Sequence, residues 1–215
     1  MSSQRGKLIT IEGQDGAGKS TNVAVIESWL EKQEIEYIQT REPGGTQFGE
    51  TIRELILNSD DTQFGDKAEL LLMFAARAQH IEDVIEPALV QGQWVLCDRF
   101  TDATYAYQGG GRGVSMDDIS QLENNVQGEL RPDLTLLLDL PIELGESRIR
   151  LRDNSSEADR FEQQQQDFKQ RVRDTYLSIA KKYPSRVKVI DASNSVSEVK
   201  AAVETVLSKF FSQSD

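Results

Sequence analysis

The chain has 215 residues and a formal net charge of −12, with 36 acidic against 24 basic residues. That balance argues against a duplex DNA or RNA binder, which presents a basic face, although arginines gathered in a cleft can still hold a small anion. The length suits one domain with a substantial core, and the single cysteine, Cys97, allows no intrachain disulfide and suits a reducing compartment.

The first predicted strand is Lys7-Leu8-Ile9-Thr10-Ile11-Glu12, short, β-branched and mostly apolar. It runs into Gly13-Gln14-Asp15-Gly16-Ala17-Gly18-Lys19-Ser20, which fits the phosphate-loop pattern G-x-x-x-x-G-K-[ST] at every fixed position. Val23, Ile26 and Leu30, with Trp29 alongside, then give Ser20 to Gln33 a near-helical spacing. Strand, glycine loop and helix N-terminus together present backbone N–H groups to a polyphosphate. Gly13 to Ser20, with Thr21 behind them, are therefore expected to bind a nucleoside triphosphate. Lys19 is expected to reach the β/γ-phosphates, and the Ser20 hydroxyl to ligate Mg²⁺. The alternative is a chance glycine turn, which the flanking strand and helix argue against.

Further strands are expected at 35–40, 93–98, 134–140 and 187–191, separated by helical patterns. Leu134 to Leu140 is nearly continuous in apolar residues, as for a strand covered on both faces. Val196, Val199, Val203, Val206 and Phe210 form a 3-4-3-4 stripe on a last helix, and Gln163 to Gln166 read as the solvated face of a helix from about Asp159 to Tyr183. Alternation of strand and helix predicts a parallel sheet flanked by helices, with ligands at the carboxyl ends of the strands. Asp98 and Asp139 both end apolar strands, where a carboxylate is costly to bury unless paired or near metal, so both compete to hold Mg²⁺. No leader pattern and no run approaching about 18 apolar residues is seen. A soluble cytoplasmic protein without membrane or nucleic-acid partners is expected.

Three more segments narrow the chemistry: Thr40-Arg41-Glu42-Pro43-Gly44-Gly45-Thr46; Asp98-Arg99 with Tyr105 to Gly113; and Arg148-Ile149-Arg150-Leu151-Arg152 running towards Asp159-Arg160-Phe161-Glu162. With Gly13 to Ser20 they resemble the thymidylate kinases over essentially the whole chain, in the bacterial type that keeps its arginines in a lid. The resemblance implies a single P-loop nucleoside monophosphate kinase domain over 1–215. Its fold would be three-layered and α/β, with a five-stranded parallel sheet and a small mobile lid at about 145–162. It also implies phosphorylation of dTMP to dTDP with ATP and Mg²⁺, in dTTP synthesis, by a homodimer. The helical segments between about Asp66 and Gln91 and after Asp102 would contribute to its interface.

By the same resemblance Arg99 and Arg53 hold the acceptor phosphate, each with a surface salt bridge as the alternative. Asp98 helps hold Mg²⁺, and Asp15 accepts from the deoxyribose 3′-hydroxyl. Glu42 joins the sugar side or stabilises its turn. Arg77 faces the thymine carbonyl edge, with Gln108 and Thr104 around the ring. Phe74 stacks on the base, or Met73 covers it instead. Tyr107 crowds the sugar C2′. Gly16 stands where animal-type enzymes carry a loop arginine. Charge on the moving phosphoryl must then come from the lid, where Arg148 and Arg152 share a helix face, with Asp153 to Ser156 as its tip. Lys19, Arg99, Asp15, Arg148 and Arg152 are the catalytic candidates. His80 is expected to be structural. The rival readings are another P-loop nucleoside or nucleotide kinase, a GTP-binding switch protein, disfavoured by the lack of Asn-Lys-x-Asp, and a DNA-processing ATPase, disfavoured by charge.

Overall fold

A computed structural model describes residues 5–58, 65–152 and 165–212, with the side chain of Arg152 excepted. The strands are β1 (Leu8–Gly13), β2 (Tyr37–Arg41), β3 (Trp94–Asp98), β4 (Leu134–Asp139) and β5 (Val187–Asp191), each within a few residues of its expected position. They form one parallel sheet in the order β2-β3-β1-β4-β5. β1 is the middle strand, and the chain leaves it first to one side and later to the other. That reversal opens a crevice at the carboxyl ends of β1 and β3.

Helices cover both faces. On one, α1 (Lys19–Lys32) and α9 (Val196–Phe211) bury Ile26, Leu30, Val203 and Leu207 against Ile9, Ile11, Leu96 and Leu136. Full burial of one such side chain is worth about 1.5–3 kcal/mol. The α9 stripe differs from expectation at its ends. Val196, in the first turn, is exposed, and Leu207 takes the inner place, because the Ser195–Glu198 capping box starts the helix outside the core. The other face carries α3 (Asp66–His80), which runs through a π turn into α4 (Glu86–Val90), and α5 (Thr101–Thr104), which runs through a second π turn over Tyr105–Gly111. Ile85 and Leu89 pack there on Leu8, Val95 and Cys97.

The remaining helices frame the crevice. They are α2 (Gln47–Leu57), α6 (Met116–Gln127), α7 (Ile142–Arg152) and α8 (Gln166–Lys182). α7 is the first part of the expected lid; Asp153 to Ser156 and Arg160 lie outside the described residues. α8 begins later than about Asp159 as described, and its exposed Gln165 and Gln166 fit the solvated face foreseen there. Among the described residues no helix is long and apolar enough to cross a membrane.

Candidate active site

The glycine loop earns its shape locally. Gly13, Gly16 and Gly18 take φ values of 142°, 80° and 88°, a region that side chains rarely enter, and Gly18 caps α1. Lys19 folds back over the loop, donating from Nζ to the carbonyls of Gly13 at 3.0 Å and Gln14 at 3.1 Å. Burial, with the positive charge of Arg99 beside it, holds the Lys19 ammonium below its ordinary pKa, while Asp15, Asp98 and Glu12 oppose that pull. Ser20 and Thr21 are exposed at the first turn of α1.

Arg99 follows β3 with a left-handed backbone, φ 68°, which turns its side chain back towards the loop. Nη2 meets Asp15 Oδ1 at 2.7 Å, Nη1 meets the Gly13 carbonyl at 3.1 Å, and the guanidinium lies 4.9 Å from the centre of the Tyr107 ring. Burial pushes the Asp15 carboxyl up, but Arg99 and Lys19 outweigh it and hold it below its usual value. Asp15 Oδ1 thus ties Arg99 and Lys19 together, at 2.7 and 3.5 Å.

Two acidic residues competed for a metal, and the structure separates them. Asp139 is taken by a bidentate ion pair with Arg173 at 2.7 and 2.9 Å. Asp98 Oδ1 is buried with no hydrogen-bond partner among the described residues. No cluster of three or more acidic, His or Cys ligands occurs among them. A nucleotide-bound Mg²⁺ needs only one or two protein groups, so an orphaned carboxylate oxygen at the end of β3, with an exposed Ser20 after the glycine loop, fits such an ion.

Between loop, α2, α3 and α5 lies an open cleft of about 650 Å³. Asp15, Glu42, Arg53, Arg77, Arg99, Thr104, Tyr107 and Gln108 all line it. Phe74 does not. It is 2% exposed and packs with Leu70, Val114 and Ile119, because a residue one step along α3 from Met73 faces inward. Met73 lines the cleft in its place, and Phe74 serves as the surface on which Arg77 lies, 4.8 Å from ring centre to guanidinium. Glu42 is also reassigned. Both carboxylate oxygens are spoken for, by Arg77 Nε at 2.7 Å and His80 Nδ1 at 2.9 Å, so Glu42 holds Arg77 and His80 in place. His80 is fully buried and bridges on to Thr40, structural as expected. Arg77 gives Nη2 to Thr104 and keeps a buried Nη1 without a partner among the described residues. Arg53 donates to the Pro43 carbonyl at 3.0 Å beside the cleft.

Of the arginines expected in a lid, Arg148 and Arg150 have described side chains and are not among those lining the cleft. Arg148 donates to the Ala192 carbonyl at 3.0 Å, and Arg150 lies 3.5 Å from Glu146 on an exposed face. Sequence reasoning passed over Glu12, Glu69 and Tyr176. Glu12 is fully buried, accepting from the Phe100 amide and the Tyr176 hydroxyl, each at 2.7 Å. A charge inside an apolar strand was the signal for it; Glu69 and Tyr176 gave none, sitting on unremarkable helix patterns.

This combination of phosphate loop, orphaned carboxylate and arginine-lined cleft has close relatives. Residues 11–203 match the family model "Thymidylate kinase". The chain belongs to the thymidylate kinase family. It is 55% identical over 205 residues to thymidylate kinase of Neisseria meningitidis serogroup A, covering 95% of this chain and 98% of that one. It is 53% identical over 202 residues to that of Pseudomonas savastanoi pv. phaseolicola, covering 94% and 95%. The crystal structure of thymidylate kinase from Ehrlichia chaffeensis superposes with a TM-score of 0.75 at 33% identity, over 94% of this chain and 99% of that one. As a thymidylate kinase this chain is an ATP-dependent phosphotransferase whose acceptor is dTMP.

Proposed function

We propose that the cleft takes dTMP with its phosphate at Arg99 and Arg53 and its base at Arg77, Gln108 and Met73, while ATP lies along Gly13 to Thr21. One observation carries the reading: Arg53, Arg77 and Arg99 line a single cleft, and one of them, Arg77, keeps a buried donor with no partner among the described residues. Arginine's planar fork suits both a phosphate and a carbonyl edge.

Phosphoryl transfer is mostly positioning and neutralisation of charge. Lys19 supplies a cation to the donor phosphates and Arg99 to the acceptor. Asp15, already bound to both, releases them to the incoming phosphates and turns to the sugar 3′-hydroxyl. The Ser20 hydroxyl and Asp98 would hold a Mg²⁺, which would add charge neutralisation on the ATP phosphates. Tyr107 closes the space of a ribose 2′-hydroxyl. Arg148 or Arg152, on the helix leading into the lid, brings charge to the transferring group. The enzyme works as a homodimer through α3 and α6, where Leu71 and Met116 stay exposed. Its buried, unpaired Cys97 suits a reducing cytoplasm.

A coupled ADP-release assay over the common nucleoside monophosphates, with ATP and Mg²⁺, tests this. dTMP is expected to be preferred by orders of magnitude. Equal turnover of CMP or AMP would overturn the placement.

A further inference from the structure

Two base-side groups of the cleft each stand on a buried carboxylate: Arg77 on Glu42, and Gln108 on Glu69. Gln108 Nε2 donates to Glu69 Oε1 at 2.9 Å, and both residues are within 1% of full burial. On its other side Glu69 Oε2 faces Arg112 Nη2 at 3.6 Å. A primary amide has nearly the same shape either way round, but one end donates and the other accepts. A carboxylate only accepts. Against Glu69 the amide nitrogen is therefore committed, and Oε1 is left towards the cleft that Gln108 lines.

We propose that Glu69 is a positioning residue that sets pyrimidine selectivity, by locking the Gln108 amide with its oxygen towards the base. The inference rests on the placement of the base against Gln108 and Arg77. Oε1 accepts and Arg77 Nη1 donates. Thymine or uracil matches that pair with N3–H and the neighbouring carbonyl. Cytosine presents the reverse, a bare N3 and an amino group, so acceptor meets acceptor and donor meets donor. Turning the amide over would relieve the first conflict, and Glu69 denies that turn. Sites built from buried hydrogen-bonding groups reject mismatched ligands far more strongly than apolar pockets do, because a group is left unpaired.

The test compares dTMP with 5-methyl-dCMP, which keeps the methyl group and changes only the hydrogen-bonding edge. In Glu69→Gln the partner of Gln108 both donates and accepts, so either orientation becomes available. The ratio of the Ki for 5-methyl-dCMP to the KM for dTMP is expected to fall about 10-fold or more, the scale of one hydrogen-bond contact, with kcat on dTMP changed only a few-fold. A parallel weakening of both nucleotides overturns the proposal, since a merely structural role moves them together. Glu69→Met, which removes both acceptors at similar volume, is the second variant if the first fails to fold, and the same fall is expected. Gln108→Leu separates the two levels of the argument. An unchanged KM for dTMP there would refute the base placement. A raised KM there, beside wild-type ratios in the Glu69 variants, would refute the role of Glu69 alone.

Discussion

Gly16 of the phosphate loop lies against the backbone of Gly145 in α7, so closely that a Cβ on Gly16 would stand 2.5 Å from the Gly145 carbonyl oxygen. Its φ of 80° is also one that side chains rarely adopt. Gly16→Ala is expected to cost about 1–3 kcal/mol in backbone strain and to push α7 off the loop. kcat should fall 10-fold or more with a lowered Tm. Gly145→Ala should be milder, because its Cβ would meet the Asp15 carbonyl at 3.0 Å. Steady-state kinetics and calorimetry of both variants check this; a fully active Gly16→Ala would contradict it.

With α7 in that position a side chain at residue 16 has no room, and the proposed mechanism therefore draws its cation from the lid. Arg148→Ala, Arg150→Ala, Arg152→Ala and Arg160→Ala are to be made singly. At least one should lose about 100-fold or more in kcat with the KM for dTMP changed only a few-fold, as for a contact made in the transition state. Arg99→Ala should instead damage both constants, because it holds the acceptor phosphate before transfer. Four near-normal kcat values would leave the basic stretch as a solvated helix face.

Tyr107 is wedged edge-on between Phe168 and Tyr176, at centroid distances of 6.2 and 6.4 Å, under the Arg99 guanidinium. So fixed a ring cannot step aside for a 2′-hydroxyl. UMP should be turned over hardly at all. dUMP should serve as an intermediate substrate, since one lost methyl contact costs about 1–3 kcal/mol. Comparable kcat/KM for UMP and dUMP would defeat the steric argument.

Burial, reinforced by Asp102, pushes the Glu12 carboxyl up to about 8, against the opposing pull of Arg99, Tyr176 and the Phe100 amide. Below pH 8 the folded state thus holds a proton that the unfolded chain releases above about 4.5. The contribution to stability is full below that lower value and is lost as pH rises towards and through 8. Thermal midpoints should decline over this window, and Glu12→Gln should flatten the decline. Identical pH profiles for the two proteins would disprove the assignment.

Light scattering at micromolar protein should report twice the 24.1 kDa chain mass. A mass of about 24 kDa would show a monomer.

The sheet and the glycine loop were legible because their signals are local: β-branched runs, a fixed glycine spacing and a helix stripe. Tyr107 and Arg77, singled out through motif resemblance, line one cleft. Phe74 and Glu42 did not behave as expected, for reasons sequence spacing does not carry. Adjacent residues on a helix point about 100° apart, so whether Met73 or Phe74 meets the cleft depends on how α3 is rotated against α6. The Glu42 carboxylate is claimed by Arg77 and His80, partners 35 and 38 residues away. Glu69 was hidden for the same reason, since its meaning lies in Gln108, 39 residues further on.

The single thiol of the chain donates to the Arg99 carbonyl at 3.0 Å, and burial pushes its pKa well above the ordinary value. A maleimide or disulfide reagent can reach Cys97 only when the turn carrying Arg99, or the Ile85 and Leu89 segment packed on the thiol, lifts away. The enzyme therefore contains its own stopwatch: the labelling rate of one native side chain counts openings on this face of the sheet. Saturating dTMP should slow that clock, and urea too dilute to unfold the protein should quicken it.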